Sequence, residues 1–159
     1  MMYSLARIYA SFFGVGFSRF APGTLGSLAA CIPAVWLNQL NLTVQILILI
    51  LSYILGQLAT EIIHQHQDEK DPSWVVIDEV CGVWLIVIVI QLLQPLPYIS
   101  LFFVASMVLF RFFDIKKPWP VNYIDSQKTP WAVMFDDIVA AAMALIVTYA
   151  LMGFVPSIV

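Results

Sequence analysis

Long apolar blocks separated by short polar ones make up this sequence, and the blocks match the roughly 20 residues a helix needs to cross a bilayer. Pro22 and Gly23 break whatever precedes them, and Thr24 or Ser27 caps a first helix that runs to about Leu40 and is kinked at Pro33. Asn38, Gln39 and Asn41 form an uncharged turn, after which Leu42 to Glu61 is a second span. Asp71, Pro72 and Ser73 read as N-cap, first helical residue and first turn of a third helix reaching about Leu93. Gln94, Pro95, Leu96 and Pro97 turn the chain without a charge, and Tyr98 to Phe113 is a fourth span. Thr129 and Pro130 repeat the cap-and-proline start, and the last helix continues to about Phe154. The pattern predicts an all-α fold, a polytopic membrane helix bundle of about five spanning helices, with four to six allowed, in one domain over residues 1–159.

Composition strengthens this reading. Hydrophobic residues are 62% of the chain and charged ones 11%, against roughly 45–50% and 25% in soluble domains. Residues 3–17 hold one cation, Arg7, and no small-residue cleavage site; they read as an interfacial or half-inserted segment with Tyr3, Tyr9 and Phe12 at the headgroups, not as a removable leader. Net charge is −3 and no Lys/Arg run is interleaved with aromatics, so nucleic acid is not an expected partner. Cys31 and Cys81 sit in apolar runs without metal-ligand spacing and read as inert thiols.

Threading the five spans in and out puts every Asp, Glu, Lys and Arg on one side. Because that side carries all seven Lys and Arg residues, the positive-inside rule makes it cytoplasmic. The stretch from Arg111 to Asp137 alone holds eight charges. Two acidic pairs, Asp78-Glu79 and Asp136-Asp137, each follow a helix-starting proline by six residues and are expected two turns inside their helices. Adjacent carboxylates repel and are costly near lipid unless a cation holds them, and a hard, oxygen-seeking ion such as Mg²⁺ suits them. Arg111 and Asp114 are three apart and can pair, Lys116 and Lys117 follow, and Pro22-Gly23-Thr24-Leu25-Gly26-Ser27 offers a helix start for a phosphate. His64 and His66 stand in a glutamine-rich run and read as a solvated loop, as do the charges of Glu61, Asp68, Glu69, Lys70 and Asp125. Trp74, Trp119 and Trp131 read as interfacial anchors.

Four blocks in order, FAPGTLGSLAA at 20–30, IDEVCGVW at 77–84, FRFFDIKKPWP at 110–120 and FDDIVAA at 135–141, resemble the phosphatidylglycerophosphatase A family of bacterial membrane phosphatases. The resemblance covers most of the chain. It implies Mg²⁺-dependent removal of the phosphate monoester from phosphatidylglycerophosphate, giving phosphatidylglycerol, at the cytoplasmic face of the bacterial inner membrane. It also implies roles: Asp78, Glu79, Asp136 and Asp137 as metal ligands, Arg111, Lys117, Thr24, Gly26 and Ser27 as phosphate-binding groups, and Asp78, Asp114 and Asp136 in catalysis. Attack by water and an aspartyl-phosphate on Asp114 or Asp136 both remain open. Two departures stand out: residues 128–133 lack the family's glycines, and Trp74 replaces a small or acidic residue, with a consequence expected for substrate access. Beside this reading stand a phosphatase of other lipid phosphomonoesters, a cation transporter and a non-enzymatic scaffold.

Overall fold

Seven α-helices and one 3₁₀ turn, without a strand, make up the described residues 1–67, 72–93 and 99–152 of this computed structural model. In chain order they are α1 (Met2–Ala10), the 3₁₀ turn Val15–Phe17, α2 (Pro22–Leu37), α3 (Leu42–His66), α4 (Ile77–Leu92), α5 (Ile99–Lys116), α6 (Val121–Asp125) and α7 (Pro130–Met152). The expected Asp71 cap, the Gln94–Pro97 turn, the start at Tyr98 and the end at Phe154 lie outside the described residues.

Several boundaries differ from expectation for local reasons. Helix α2 starts at Pro22, which lacks the N–H a first-turn residue would leave unbonded, so neither Thr24 nor Ser27 caps it. Ala21 precedes it in the left-handed region (φ 42°), while the Ser27 hydroxyl is buried and donates to the Gly23 carbonyl at 2.9 Å. Asn41 caps α3 instead of merely turning the chain, its Oδ1 accepting from the Val44 N–H at 3.0 Å. Helix α3 then outruns its apolar block and ends at His66, because Glu, Gln and His propagate a helix after hydrophobicity has stopped. His64 and His66 are therefore helical, not loop residues, and His66 stacks on Tyr3.

The third helix begins at Ile77, five residues later than Pro72 predicts. The Val76 N–H donates to the Ala10 carbonyl (2.9 Å), and the Trp74 carbonyl lies where a β-carbon on Gly16 would be, so residues 73–76 are committed to the N-terminal segment. Asp78 and Glu79 thus sit in the first turn of α4, whereas Asp136 and Asp137 lie two turns into α7. The expected match in depth fails. Trp74 packs on Phe17 and on Arg7, whose guanidinium is also within 5.7 Å of the Tyr3 ring.

Helix α7 occupies the centre and packs on α3, α4, α5 and α6. Ala140, Ala141 and Ala144 are fully buried there, small enough to let neighbouring backbones approach. Gly82 does the same for α4, since a β-carbon would stand 2.7 Å from the Phe110 ring. Outward faces are apolar: Leu47, Ile50, Leu51 and Leu58 of α3 are each about half exposed. Such a surface suits hydrocarbon and not water. Helices α3 and α7 are each long and apolar enough by themselves to cross a membrane.

At the end of the bundle away from the charges, buried Gln45 donates through Nε2 to the Gln91 side chain (2.5 Å) and the Leu40 carbonyl (2.8 Å), while its Oε1 is buried without a partner. The charged end is where α2, α4 and α7 begin and α5 stops.

Candidate active site

Those four helix ends enclose a cavity of about 340 Å³. Helix α2 contributes Pro22, Gly23 and Thr24; α4 gives Asp78 and Glu79; α5 gives Arg111, Asp114 and Ile115; α7 gives Val133, Asp136 and Asp137; and Lys117 follows α5. Gly26 and Ser27, expected to bind phosphate, do not line it. Both lie a turn deeper along α2, where the Ser27 hydroxyl is committed to the Gly23 carbonyl and Gly26 is pressed on Val76.

One carboxylate oxygen from each of Asp78, Glu79 and Asp137 falls within 4.8 Å of the others. Glu79 Oε2 and Asp137 Oδ2 are buried without a hydrogen-bond partner, so neither oxygen is committed to another protein group. Hard oxygen donors in this number fit a divalent ion such as Mg²⁺. Charge argues the same way: five carboxylates line the cavity against two cations, so a phosphate would be repelled unless a metal offset them.

Asp136 is placed differently from the other three expected ligands. Its Oδ2 accepts from the Lys117 ammonium at 2.7 Å and its Oδ1 from the Asp137 N–H at 3.0 Å. Asp78 Oδ1 likewise accepts from the Glu79 N–H at 3.0 Å, so in both pairs the first acid bonds to the backbone of the second. Arg111 pairs with Asp114 as the i, i+3 spacing predicts, at 2.7 Å, and reaches Glu79 at 3.4 Å. Its Nε is buried and has no hydrogen-bond partner among the described residues.

Lys117 is held twice, by Asp136 and by Asp125. Its backbone is left-handed (φ 45°), which ends α5 and turns the side chain back to the cavity. The expectation that Asp125 is a solvated loop charge is thereby corrected: the short helix α6, after the cis Trp119–Pro120 bond, carries it to Lys117. No sequence period could reveal this, since the two are eight residues apart across a loop. Burial alone would lower the Lys117 pKa, but attraction to Asp136 and Asp125 outweighs it and raises it above the ordinary lysine range. A base raised in this way stabilises fully below its unfolded pKa, about 10.4, and loses the effect as pH climbs through the folded value. Asp125→Asn is expected to bring that alkaline loss to lower pH, while costing below about 1 kcal/mol at neutral pH because the pair is about a third exposed and screened. Thermal unfolding in detergent at pH 7 and through the alkaline limb from about 10.4 upward checks this; identical alkaline profiles over that limb would refute the assigned role of Asp125.

The sequence profile described as Phosphatidylglycerophosphatase A matches residues 8–152, and therefore spans every residue of this cavity. The chain belongs to the phosphatidylglycerophosphatase A family. With the family comes the class of the enzyme, a phosphoric monoester hydrolase. The Phosphatidylglycerophosphatase A of Haemophilus influenzae is 34% identical over 142 residues, covering 87% of this chain and 83% of the relative. That of Escherichia coli K12 is 34% identical over 146 residues, 86% of this chain and 77% of the relative. A protein of Bacteroides thetaiotaomicron named putative phosphatidylinositol-3-phosphatase is also 34% identical, over 84% of this chain and 85% of its own length. No solved structure matches the chain.

Proposed function

We propose that this chain hydrolyses phosphatidylglycerophosphate to phosphatidylglycerol and inorganic phosphate, with Mg²⁺, at the cytoplasmic face of a bacterial inner membrane. The observation that carries the reading is the convergence of Asp78, Glu79 and Asp137, two of them with orphaned oxygens, beside Arg111 in one cavity at the bundle's charged end. Five long helices, α2, α3, α4, α5 and α7, serve as the spans, and the cations at the cavity end favour the inside.

Asp78, Glu79 and Asp137 would hold the ion, which when bound supplies Lewis-acid neutralisation of phosphoryl charge. Arg111 binds phosphoryl oxygens, and the α2 start with Thr24 adds donors at a helix N-terminus. A water attacks phosphorus, the bond to the glycerol oxygen breaks, and that oxygen takes up a proton. Asp114 or Asp136 accepts the water's proton. Asp136 has both oxygens bonded, Oδ2 to Lys117 and Oδ1 to the Asp137 N–H, which disfavours it as a nucleophile, whereas Asp114 is paired through Oδ2 alone. The transporter alternative wants charge along a path to the far side, yet the described far end carries uncharged amides, Asn38, Gln39, Asn41, Gln45 and Gln91, and no Asp, Glu, Lys or Arg.

The test is phosphate release by purified protein from a panel of lipid phosphomonoesters, with and without EDTA. Release from phosphatidylglycerophosphate that falls to background on chelation and returns with Mg²⁺ is expected. Full activity in EDTA would sink the metal assignment, and preference for a phosphoinositide would favour the activity in the name of the Bacteroides relative.

A further inference from the structure

We propose that an acyl chain of the lipid substrate lies in a furrow between α2 and α5, floored by α4, and that substrate enters the cavity sideways from the bilayer along it. This rests on the phosphatase reading for the identity of the headgroup. Helices α2 and α5 each pack on α4 but hardly touch one another. The charged cavity closes one end of the seam so left. At the other end is a second cavity, of about 500 Å³, lined by Cys31 and Val35 of α2, Val87 and Ile90 of α4, and Phe103 and Val104 of α5.

The same helical stripes connect the two. On α2, Thr24, Leu28, Cys31 and Val35 follow at spacings of four and three and share a face; on α5, Ile115, Arg111, Val108 and Val104 do the same. Leu28 and Val108, 58% and 63% exposed, therefore stand on the banks between the cavities. From Glu79 to Ile90 the α4 floor is about 16 Å long, room for an extended acyl chain to lie against it. A phosphate ester without tails would have no use for an apolar furrow that ends at its binding cavity, whereas a lipid needs its chain to stay in hydrocarbon while the headgroup reaches Arg111.

Two arms test this. Val35→Trp combined with Val104→Trp fills the furrow at exposed positions; kcat/KM on phosphatidylglycerophosphate should fall about tenfold or more, with turnover of its deacylated analogue unchanged. Equal slowing of both substrates, or no slowing of either, would overturn the furrow while leaving the phosphatase reading intact. The second arm needs no turnover: phosphatidylglycerophosphate with a diazirine in its acyl chain should label residues 31–35 and 103–104, and excess unlabelled substrate should displace that labelling but not labelling of the outward α3 face. Furrow labelling that competes no better than the α3 face would refute the proposal even in an active enzyme. Wild-type protein inactive on every substrate would instead remove the phosphatase reading, with the labelling still deciding the furrow.

Discussion

Asp137→Asn is expected to lower phosphate release by about 10³-fold, near the upper end of what losing one electrostatic group in an enclosed site costs. The carboxylate is buried two turns into α7, shares a 4.8 Å cluster with Asp78 and Glu79, and has one oxygen with no protein partner. Asparagine keeps its volume and removes one of several like charges crowded together, so the fold should lose no stability and should gain some. Opposite signs for activity and stability are the signature of a residue kept for chemistry. Thermal unfolding of both proteins in the same detergent, with the release assay, supplies both readouts. Activity within tenfold of wild type, or a clear fall in Tm, would remove Asp137 from the metal set.

Gly23→Ala is expected to cost about 10²-fold in activity, comparable to losing a positioning group outright. A β-carbon on Gly23 would lie 2.0 Å from Glu79 Oε1 and 2.8 Å from Arg111 Nη2, distances no relaxed structure holds. Something must move, and the movable parts are the two charged side chains that face the substrate. The α2 backbone itself has no objection to alanine, because Gly23 is helical and alanine propagates helices better. The variant should therefore remain folded and helical by circular dichroism while its requirement for Mg²⁺ or substrate rises. Should Gly23→Ala retain wild-type kinetics, α2 does not abut the Glu79–Arg111 pair as described. Serine at the same position should be no better than alanine, since it carries the same β-carbon.

The two variants probe different halves of one idea. Asp137→Asn alters charge without shape, and Gly23→Ala alters shape without charge. Loss of activity in both, with folding preserved, would tie the carboxylate cluster and the tight approach of α2 to a single reaction centre.

Much of this molecule could be read from residue order. Long apolar blocks locate α2 and α7, and Pro130 opens α7 as expected, because hydrocarbon length and the missing proline N–H are local properties; Pro22, read as a breaker, is itself the first residue of α2. Arg111 and Asp114 pair as their spacing predicts, since residues three apart in a helix are neighbours whatever surrounds them. The acidic pairs announce themselves because charge is rare in such a chain. Helix ends are less legible where the backbone answers to distant partners: α4 starts at Ile77 because Val76 bonds to Ala10, and hydropathy says nothing of that bond.

The sequence by itself therefore determined the helical class, the clustering of charge at one end and the family. Only the tertiary structure decided that Asp78, Glu79 and Asp137 come together while Asp136 turns to Lys117, that Asp125 joins that pair, and that Gly23, not Gly26, abuts the site. The reason is geometric. Composition and period fix which face of a helix a residue occupies, but what that face meets depends on how helices far apart in the chain are packed.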